Sequence, residues 1–288
     1  MLKNLITIAT KHGSSSGMPS EYPRLVIRST MAPTPPAPAL FEPKFYLLLQ
    51  GAKRMTIAGR TFDCSAGTCA VASIGLPFVS EVVEASPTQP YLSVELTLDA
   101  GIVASLLLDM REQNPTEWQA GAMSLAQVDE GLVEPLGRLM NLLDAPFEIP
   151  VLAAQFEREL YYRLLSGPLG GRLRQIGANN SRFAQIKMAA EWIGENAKTS
   201  MSVEWLASHV GMSVTSFHRH FKAVTASSPL AYQRQLRLLE ARRQLASGEA
   251  NVTETAYTSG YVSASQFSRE YKKTFGVPPS QHAALLRR

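Results

Sequence analysis

A motif that occurs twice near the C-terminal end limits what this chain can fold into. The first copy is Gly211–Lys222, GMSVTSFHRHFK, and the second is Gly260–Lys272, GYVSASQFSREYK. In both copies a glycine and a serine precede an aromatic residue, an arginine, a second aromatic residue and a lysine. The copies are about 50 residues apart, and the turn of the second has one extra residue. A repeat of this period indicates one supersecondary unit that is used twice.

Each copy predicts a tight turn followed by a helix with two different faces. Gly211 and Gly260 suit the left-handed conformation that ends a helix, and Ser213 and Ser263 suit the N-cap of the next one. At about 100° per residue, apolar residues gather on one face of that helix and polar residues on the other. Residues 203–210 have the apolar spacing of a short amphipathic helix before the first turn. This arrangement predicts a helix-turn-helix, whose second helix enters the DNA major groove.

The positive charge is concentrated in the same region. Residues 182–288 contain 14 Lys and Arg and 7 Asp and Glu, whereas residues 1–181 contain 14 and 17. The formal charge is therefore +7 in the C-terminal region and −3 before it, which together give the +4 of the whole chain. An ordinary solvated helix pair is the alternative interpretation. We favour DNA binding because the duplication repeats the outward Arg and Lys as well as the core, as expected of a surface that neutralises phosphates.

The N-terminal region has the pattern of a small β domain. Residues 22–98 contain six or more short apolar runs separated by Gly, Pro or Ser turns, which suggest a barrel or a sandwich. In Tyr91–Leu98, four apolar residues alternate with three polar ones, which predicts a strand with one buried face. Residues 1–20 are rich in Ser and Gly between His12 and Gly17, and we expect them to be a mobile tail.

After the strands, two apolar stripes at helical spacing predict an antiparallel helical pair at about residues 125–167. The first stripe consists of Leu132, Leu136, Leu139 and Leu143, and the second of Leu152, Phe156, Leu160 and Leu164. Either the pair packs on the barrel or it pairs with the same helices of another subunit. We favour a homodimer with the first stripe as its interface, because operator-binding proteins commonly have two-fold symmetry.

These patterns divide the chain into an α+β protein of two domains. A mobile tail (1–20) precedes a regulatory and dimerisation domain (21–175), a linker (176–182) and a DNA-binding domain (183–288). The linker is placed there because Ser166–Gly171 and Gly177–Ser181 are helix-breaking or turn-prone. A long helix from Leu230 to Ala246 is predicted to join the two helix-turn-helix motifs.

Composition and histidine positions exclude other classes of protein. No run of about 18 apolar residues is present, so no membrane span is predicted, and we expect a cytoplasmic protein that associates with the bacterial nucleoid when bound to DNA. No histidine occurs between residues 13 and 208, which excludes a His-rich metal site in the barrel. No nucleophile–base pair or phosphate-binding Gly loop is present either. We therefore predict no enzyme activity, no metal and no cofactor.

The C-terminal region resembles the DNA-binding domain of AraC-type (AraC/XylS) transcriptional regulators. The motifs that carry this resemblance are the two repeats, SPLAY at 228–232, RL at 237–238, AR at 241–242 and FGVPP at 275–279. The N-terminal region resembles the cupin-like regulatory domain of one branch of that family. Its motifs are PP at 35–36, FEP at 41–43, QGAKR at 50–54, LP at 76–77, EASP at 84–87, PYL at 90–92, RLLSG at 163–167 and LR at 173–174.

The resemblance implies a cupin-like β-barrel with a helical pair, followed by an all-α domain of two helix-turn-helix motifs joined by a long helix. It also implies an activator controlled by an unknown small-molecule effector, with a double-stranded DNA operator and RNA polymerase as partners. By position, the base-contacting residues are Thr215, His218, Arg219, Ser265, Ser268 and Arg269. The phosphate-contacting residues are Ser213, Lys222, Ser263, Lys272 and Lys273. Arginine can bind guanine O6 and N7 bidentately, and Thr215 and His218 give the first helix more to recognise bases with, so we expect it to set specificity and the second to anchor.

Four N-terminal residues are candidates for effector binding. Arg24 and Arg28 lie four apart, a spacing that allows two guanidiniums on one side of a strand to bind the phosphates of a nucleotide. Cys64 and Cys69 flank a short turn, and pairing across a hairpin would make a thiol switch for oxidants or electrophiles. The simpler alternatives, solvated arginines and incidental thiols, are favoured in both cases. An architectural DNA-binding protein without any effector also remains open.

Overall fold

The chain forms two compact units, one of residues 1–36 and 41–184 and the other of residues 37–40 and 185–288. The structure is a computed structural model that describes residues 2–15, 17–57, 59–110, 121–177, 182–248 and 250–286. Of the predicted linker 176–182, residues 178–181 lie outside the described residues.

The described residues between 25 and 127 form nine strands in two sheets. The strands are β1 Leu25–Thr30, β2 Ala37–Phe41, β3 Lys44–Gln50, β4 Ala52–Ile57, β5 Arg60–Ser65, β6 Thr68–Ala72, β7 Leu76–Glu84, β8 Tyr91–Thr97 and β9 Met123–Gln127. One sheet has the order β1-β8-β3-β6-β9 and the other β2-β7-β4-β5. The β-rich N-terminal region that the sequence predicts is therefore confirmed.

Five helices accompany these sheets. They are α1 Lys3–His12, α2 Ala100–Asp109, α3 Glu130–Asn141, α4 Ile149–Ser166 and α5 Gly170–Gly177. Asp99 caps α2 by accepting from the backbone amides of Gly101 and Ile102. Asp129 caps α3 by accepting from the amide of Leu132. Polar caps thus fix where α2 and α3 start, and the apolar stripes fix which faces are buried.

The central strand β3 shows how the two sides of the five-stranded sheet differ. Phe45, Leu47 and Leu49 belong to a core that also contains leucines of the helices. Tyr46 and Leu48, of opposite parity, are equally buried. The ring of Tyr46 lies 6.3 Å from the ring of Phe41 in the other sheet. The five-stranded sheet is therefore covered on one face by helices and on the other by the second sheet.

The expectation of a mobile tail at residues 1–20 is wrong for most of that segment. Residues 3–12 form α1, and Leu5, Ile8 and Ala9 are buried in the core with β1, β8 and α3. Residues 14 and 19 then form isolated bridges to β1. The spacing of Leu5, Ile8 and Ala9 is that of a helix face, and the prediction gave more weight to the Ser/Gly run that follows it.

The predicted dimer interface is also corrected. Leu132, Leu136, Leu139 and Leu143 are all between 0 and 4% exposed. They pack within the unit against sheet and helix residues of the same chain. The apolar stripe of α3 is therefore buried within its own chain, where α3 contacts α4 and α1, and this packing removes it from water without a second subunit. A homodimer, if formed, needs other residues at its interface.

The C-terminal unit is helical in all the secondary structure that the described residues show after residue 181. Its helices are α6 Arg182–Glu195, α7 Val203–His209, α8 Val214–Thr225, α9 Pro229–Ser247, α10 Val252–Thr258, α11 Ala264–Phe275 and α12 Pro279–Leu286. The long helix α9 joins the pair α7–α8 to the pair α10–α11, as predicted. Ser228 caps α9, Pro229 occupies its first turn, and Gly248, in the left-handed conformation, follows its end.

Candidate nucleic-acid interface

The first helix-turn-helix is built by the residues that the repeat singled out. Helix α7 is followed by Gly211, whose φ of 71° is a conformation that suits glycine. The hydroxyl oxygen of Ser213 accepts a hydrogen bond from the amide of Ser216 at 3.4 Å and caps α8. The chain thus turns sharply and starts a second helix within three residues.

The second copy repeats this geometry. Gly260 has a φ of 82°, and Ser263 accepts from the amide of Gln266 at 3.4 Å at the start of α11. Helix α10 begins with a capping box, in which the side chains of Asn251 and Glu254 each bind the other residue's amide. Local hydrogen bonds therefore fix the starts of both helices of the second motif.

The inner faces of α8 and α11 are held by equivalent aromatic pairs. In α8 the rings of Phe217 and Phe221 lie 5.4 Å apart, and in α11 the rings of Phe267 and Tyr271 are also 5.4 Å apart. All four side chains are fully buried. The same packing in both copies fixes which residues point outward.

The outward residues are those predicted to contact bases. Thr215, His218, Arg219, Ser265 and Arg269 are exposed, and Ser268 is half-buried. Within the described part of the chain, no carboxylate forms an ion pair with Arg219 or Arg269. Two exposed guanidiniums at corresponding positions are suited to guanine edges or phosphates.

The predicted phosphate contacts border this surface. Lys222, Lys272 and Lys273 are exposed in the last turns of α8 and α11. The hydroxyl oxygens of Ser213 and Ser263 cap their helices, which leaves each O–H free to donate to another acceptor. The assignment of these five residues to phosphates stays a prediction.

The N-terminal effector candidates are placed differently from what their spacing suggested. Arg24 precedes β1 and donates to Asp99 at 3.2 Å and to the Tyr161 hydroxyl at 2.8 Å. Its Nη1 also lies 3.1 Å from the carboxylate of the buried Glu157. Arg28, in contrast, donates from Nε to Glu95 on β8 at 2.6 Å. Different carboxylates bind the two guanidiniums, so they do not form the shared phosphate site that we considered.

A charged cluster that sequence analysis missed surrounds Glu95. Lys44 donates to the second carboxylate oxygen of Glu95 at 2.8 Å, opposite Arg28. Burial would raise the pKa of Glu95, but Lys44 and Arg28 outweigh it and lower the pKa to about 2. Next to this cluster the hydroxyls of Tyr46 and Tyr91 are hydrogen-bonded at 3.0 Å. Charged and aromatic groups thus meet between the two sheets.

Lys53 of β4 reaches the same place from the other sheet. Its ammonium nitrogen lies 5.6 Å from the centre of the Tyr46 ring, 5.7 Å from that of Phe78 and 6.0 Å from that of Tyr91. Burial lowers the pKa of Lys53 to about 8. No carboxylate of the described residues forms an ion pair with Lys53.

The cysteines lie in different sheets, Cys64 on β5 and Cys69 on β6, and do not face each other across one hairpin. Both are free thiols and buried. Burial raises the pKa of each to about 11. The thiolate is the reactive form, so neither residue has the environment of a reactive cysteine.

No helix within the described residues is long and apolar enough to span a membrane.

Comparison with known proteins identifies both parts of the chain. The family model described as "AraC-type transcriptional regulator N-terminus" matches residues 21–172, and the model described as "Helix-turn-helix domain" matches residues 206–284.

The curated relatives include two transcriptional activators with similar sequence identity to this chain. The "HTH-type transcriptional activator RhaS" of Pectobacterium atrosepticum is 27% identical over 173 residues, which are 59% of each chain. The RhaS protein of Salmonella schwarzengrund is 29% identical over 167 residues, 57% of this chain and 56% of that one. The chain thus matches less than two thirds of the length of these relatives.

Solved structures of ToxT from Vibrio cholerae share the fold. One structure, at 1.65 Å resolution, has a TM-score of 0.59 and 14% identity and covers 92% of this chain and 98% of that one. Another, bound to an unsaturated fatty acid, has a TM-score of 0.56 and 12% identity and covers 90% and 93%. At this identity the likeness shows the two-domain architecture.

Proposed function

Because the chain belongs to the AraC-type transcriptional regulators, we propose that it binds operator DNA through α8 and α11 and activates transcription in response to a small molecule held by its N-terminal unit. Thr215, His218 and Arg219 contact bases from α8, and Ser265, Ser268 and Arg269 contact bases from α11. RNA polymerase is the expected partner of an activator. A cytoplasmic location follows from this role, and we assign the chain no catalytic activity.

The observation that carries this proposal is the duplicated geometry of the two motifs. Each presents an exposed arginine six residues after a serine N-cap, and equivalent buried aromatic pairs lie beneath it in both. Helix α9 joins the motifs within one compact unit. Two helices of this kind fit successive segments of the major groove, roughly 34 Å apart.

The DNA contacts are tested by selecting an operator from random duplexes with the full chain and measuring the affinity of single variants. We expect Arg219→Ala to lower the affinity for the operator about 10-fold or more, since one good bidentate base contact is worth about 1–3 kcal/mol. The affinity for random DNA should change little. Lys222→Ala should weaken binding to the operator and to random DNA to a similar degree. Equal losses on operator and random DNA for Arg219→Ala contradict its assignment to a base.

The control by an effector rests on the N-terminal unit and is tested separately. The related ToxT has been crystallised with an unsaturated fatty acid. A metabolite panel should raise the melting temperature of this chain and change its affinity for the operator. An architectural protein without an effector would show neither effect.

The thiol sensor is the less favoured alternative, because Cys64 and Cys69 are buried and protonated at neutral pH. A double Cys→Ser variant should keep the same reporter response to peroxide as the unchanged chain. A response lost in that variant would restore the sensor hypothesis.

A further inference from the structure

The space between the two sheets contains more positive charge than its one carboxylate neutralises. Arg28, Lys44 and Lys53 converge there on Glu95. Both oxygens of Glu95 are already engaged, one by Arg28 and the other by Lys44. The described residues thus leave Lys53 without a carboxylate partner.

The surroundings of Lys53 stabilise its charge only in part. Three aromatic rings lie within about 6 Å of the ammonium, and each such contact stabilises the charge only weakly. A carboxylate at hydrogen-bond distance would contribute more. The side chain of Lys53 is only partly buried.

The same surroundings define what kind of anion fits. One unpaired ammonium calls for one negative charge. The faces of Tyr46, Phe78 and Tyr91 offer apolar surface beside it, and Phe41 packs edge-on against Phe78 with ring centres 5.5 Å apart. A neutral sugar would leave the ammonium unpaired, and a cation would be repelled.

We propose that Lys53, with Tyr46, Phe78 and Tyr91 around it, binds the carboxylate end of a small organic monoanion with an apolar body, and that this anion is the effector. The inference rests on the proposed function, since it names the chemical class of the effector. Arg28 and Lys44 are positioning residues here, because they hold Glu95 away from Lys53.

The test uses the full chain and two carboxylates, hexanoate and phenylacetate, with the uncharged hexanamide and phenylacetamide as matched controls. We expect both carboxylates to raise the melting temperature and to bind in calorimetry, whereas the amides bind at least 10-fold more weakly. Lys53→Met should reduce carboxylate affinity at least 10-fold. Lys3→Met, at an exposed lysine of α1, should not change it.

Equal binding of the amides, or unchanged binding by Lys53→Met, overturns the proposal but leaves an effector of another class possible. If neither carboxylate binds, the proposal is wrong. A gel shift of the same preparation on the selected operator tells this apart from failure of the DNA-binding function. Lys53→Met removes a poorly neutralised charge, so we expect it to fold.

One side chain of α9 links the two helix-turn-helix motifs. Arg237 on α9 donates three hydrogen bonds to backbone carbonyls. Its Nε bonds Ala197 at 2.5 Å, Nη2 bonds Thr199 at 2.7 Å and Nη1 bonds Gly260 at 2.9 Å. Residues 197–199 lead into the first helix-turn-helix, and Gly260 is the turn of the second.

The two backbone segments that Arg237 joins are also in direct contact. A Cβ added to Gly260 would lie 2.2 Å from the carbonyl oxygen of Lys198. The turn of the second motif therefore rests on the loop before the first, and one guanidinium bonds both. A fork of five N–H donors suits this role, whereas the ammonium of lysine reaches fewer of these acceptors in one geometry.

We infer that Arg237 is a positioning residue that fixes the distance between α8 and α11 and thereby the spacing of the two operator segments that the protein accepts. A residue with only a stability role would lower the affinity for all spacings together. A residue that sets the spacing changes the ratio between the affinities for operators of different spacing.

The test compares the selected operator with a version that has one base pair inserted between its two segments. We expect the unchanged protein to bind the longer version at least 10-fold more weakly, and Arg237→Gln to reduce this ratio to below 3-fold. Arg243→Gln, at an exposed arginine of the same helix, should keep the original ratio.

If the inserted base pair weakens binding by Arg237→Gln as much as binding by the unchanged protein, the inference is overturned. Melting curves show whether that variant is folded. If it is not, Arg237→Lys is used, and an unchanged ratio in that variant is equally negative. Failure of the unchanged protein to bind either duplex would instead contradict the proposed DNA-binding function.

Discussion

A lysine enclosed by three aromatic rings makes the stability of this protein depend on pH in an unusual direction. Burial lowers the pKa of Lys53 to about 8 in the folded chain, below its ordinary value of 10.5. Between these two pH values the unfolded chain binds more protons than the folded one, so stability rises with pH. The cost of holding the charge is therefore complete below pH 8 and is lost toward pH 10.5.

We predict that Lys53→Met is more stable than the unchanged protein at pH 7, by roughly 3 kcal/mol at most. The advantage should shrink between pH 8 and 10.5, as measured by urea unfolding. The other charged or titratable groups facing this site are Arg28 of β1, Lys44 and Tyr46 of β3, Cys64 of β5, and Tyr91 and Glu95 of β8. Since the comparison is between two proteins that share these groups, their own titration largely cancels. An advantage independent of pH would contradict the prediction.

The buried carboxylate of Glu157 forms an ion pair with Arg24 at 3.1 Å, and the hydroxyl of Tyr22 is its other hydrogen-bonding neighbour. Arg24→Met should cost about 3 kcal/mol, because it removes the cation of a buried ion pair. Arg54→Met, which removes an exposed pair with Asp63, is the control and should cost far less in the same unfolding measurement. Similar losses would mean that the Glu157 pair is no more important than a surface pair.

Sequence analysis could not place Lys53, Lys44 or Glu95. In a strand, polar residues that alternate with apolar ones look the same whether they face water or a second sheet. In β8, Leu92, Val94 and Leu96 are buried as predicted, but Ser93 and Glu95 on the other face are buried too. Only the packing of one sheet on the other shows this. The outward arginines of α8 and α11 were predictable because a repeat and a helical period constrained the same positions.

At the scale of elements, α1 is the part of the N-terminal unit that sequence analysis predicted least well. Ile8 is 5% exposed and packs in the core, whereas Thr7 on the same helix is exposed. We predict that Ile8→Ala lowers the free energy of unfolding by about 2–5 kcal/mol. Thr7→Ala should change it by less than about 1 kcal/mol. Similar small effects in both variants would show that α1 is not part of the folded core in solution.

The other helices show that a sequence pattern can predict a helix without predicting what that helix packs against. The leucine stripe of α3 correctly predicted a helix, but it did not predict what that helix packs against. An apolar stripe specifies burial, and burial on a sheet or on a second subunit has the same sequence pattern. In α8 and α11 this ambiguity was absent, because the serine caps, the glycine turns and the basic outer face favoured the same arrangement.

For the whole molecule, the uneven charge distribution predicts how DNA binding responds to salt. The C-terminal region carries +7 and the rest −3. Binding to random DNA should weaken steeply with salt, and Lys222→Ala should reduce the slope of log affinity against log salt by about 1. Lys3→Met lies outside that region and should leave the slope unchanged. A slope that does not depend on Lys222 would exclude this residue as a phosphate contact. Fluorescence anisotropy between about 50 and 200 mM salt measures these slopes.

The low pKa of Lys53 also has a chemical consequence. At pH 7.5 a larger fraction of its side chains is therefore neutral than in an ordinary lysine. Acylating reagents attack the neutral amine, so Lys53 is the lysine at which limited labelling should start. Peptide mass spectrometry after brief treatment then reports how much of this side chain is occupied. A bound anion would show itself as protection at a single position.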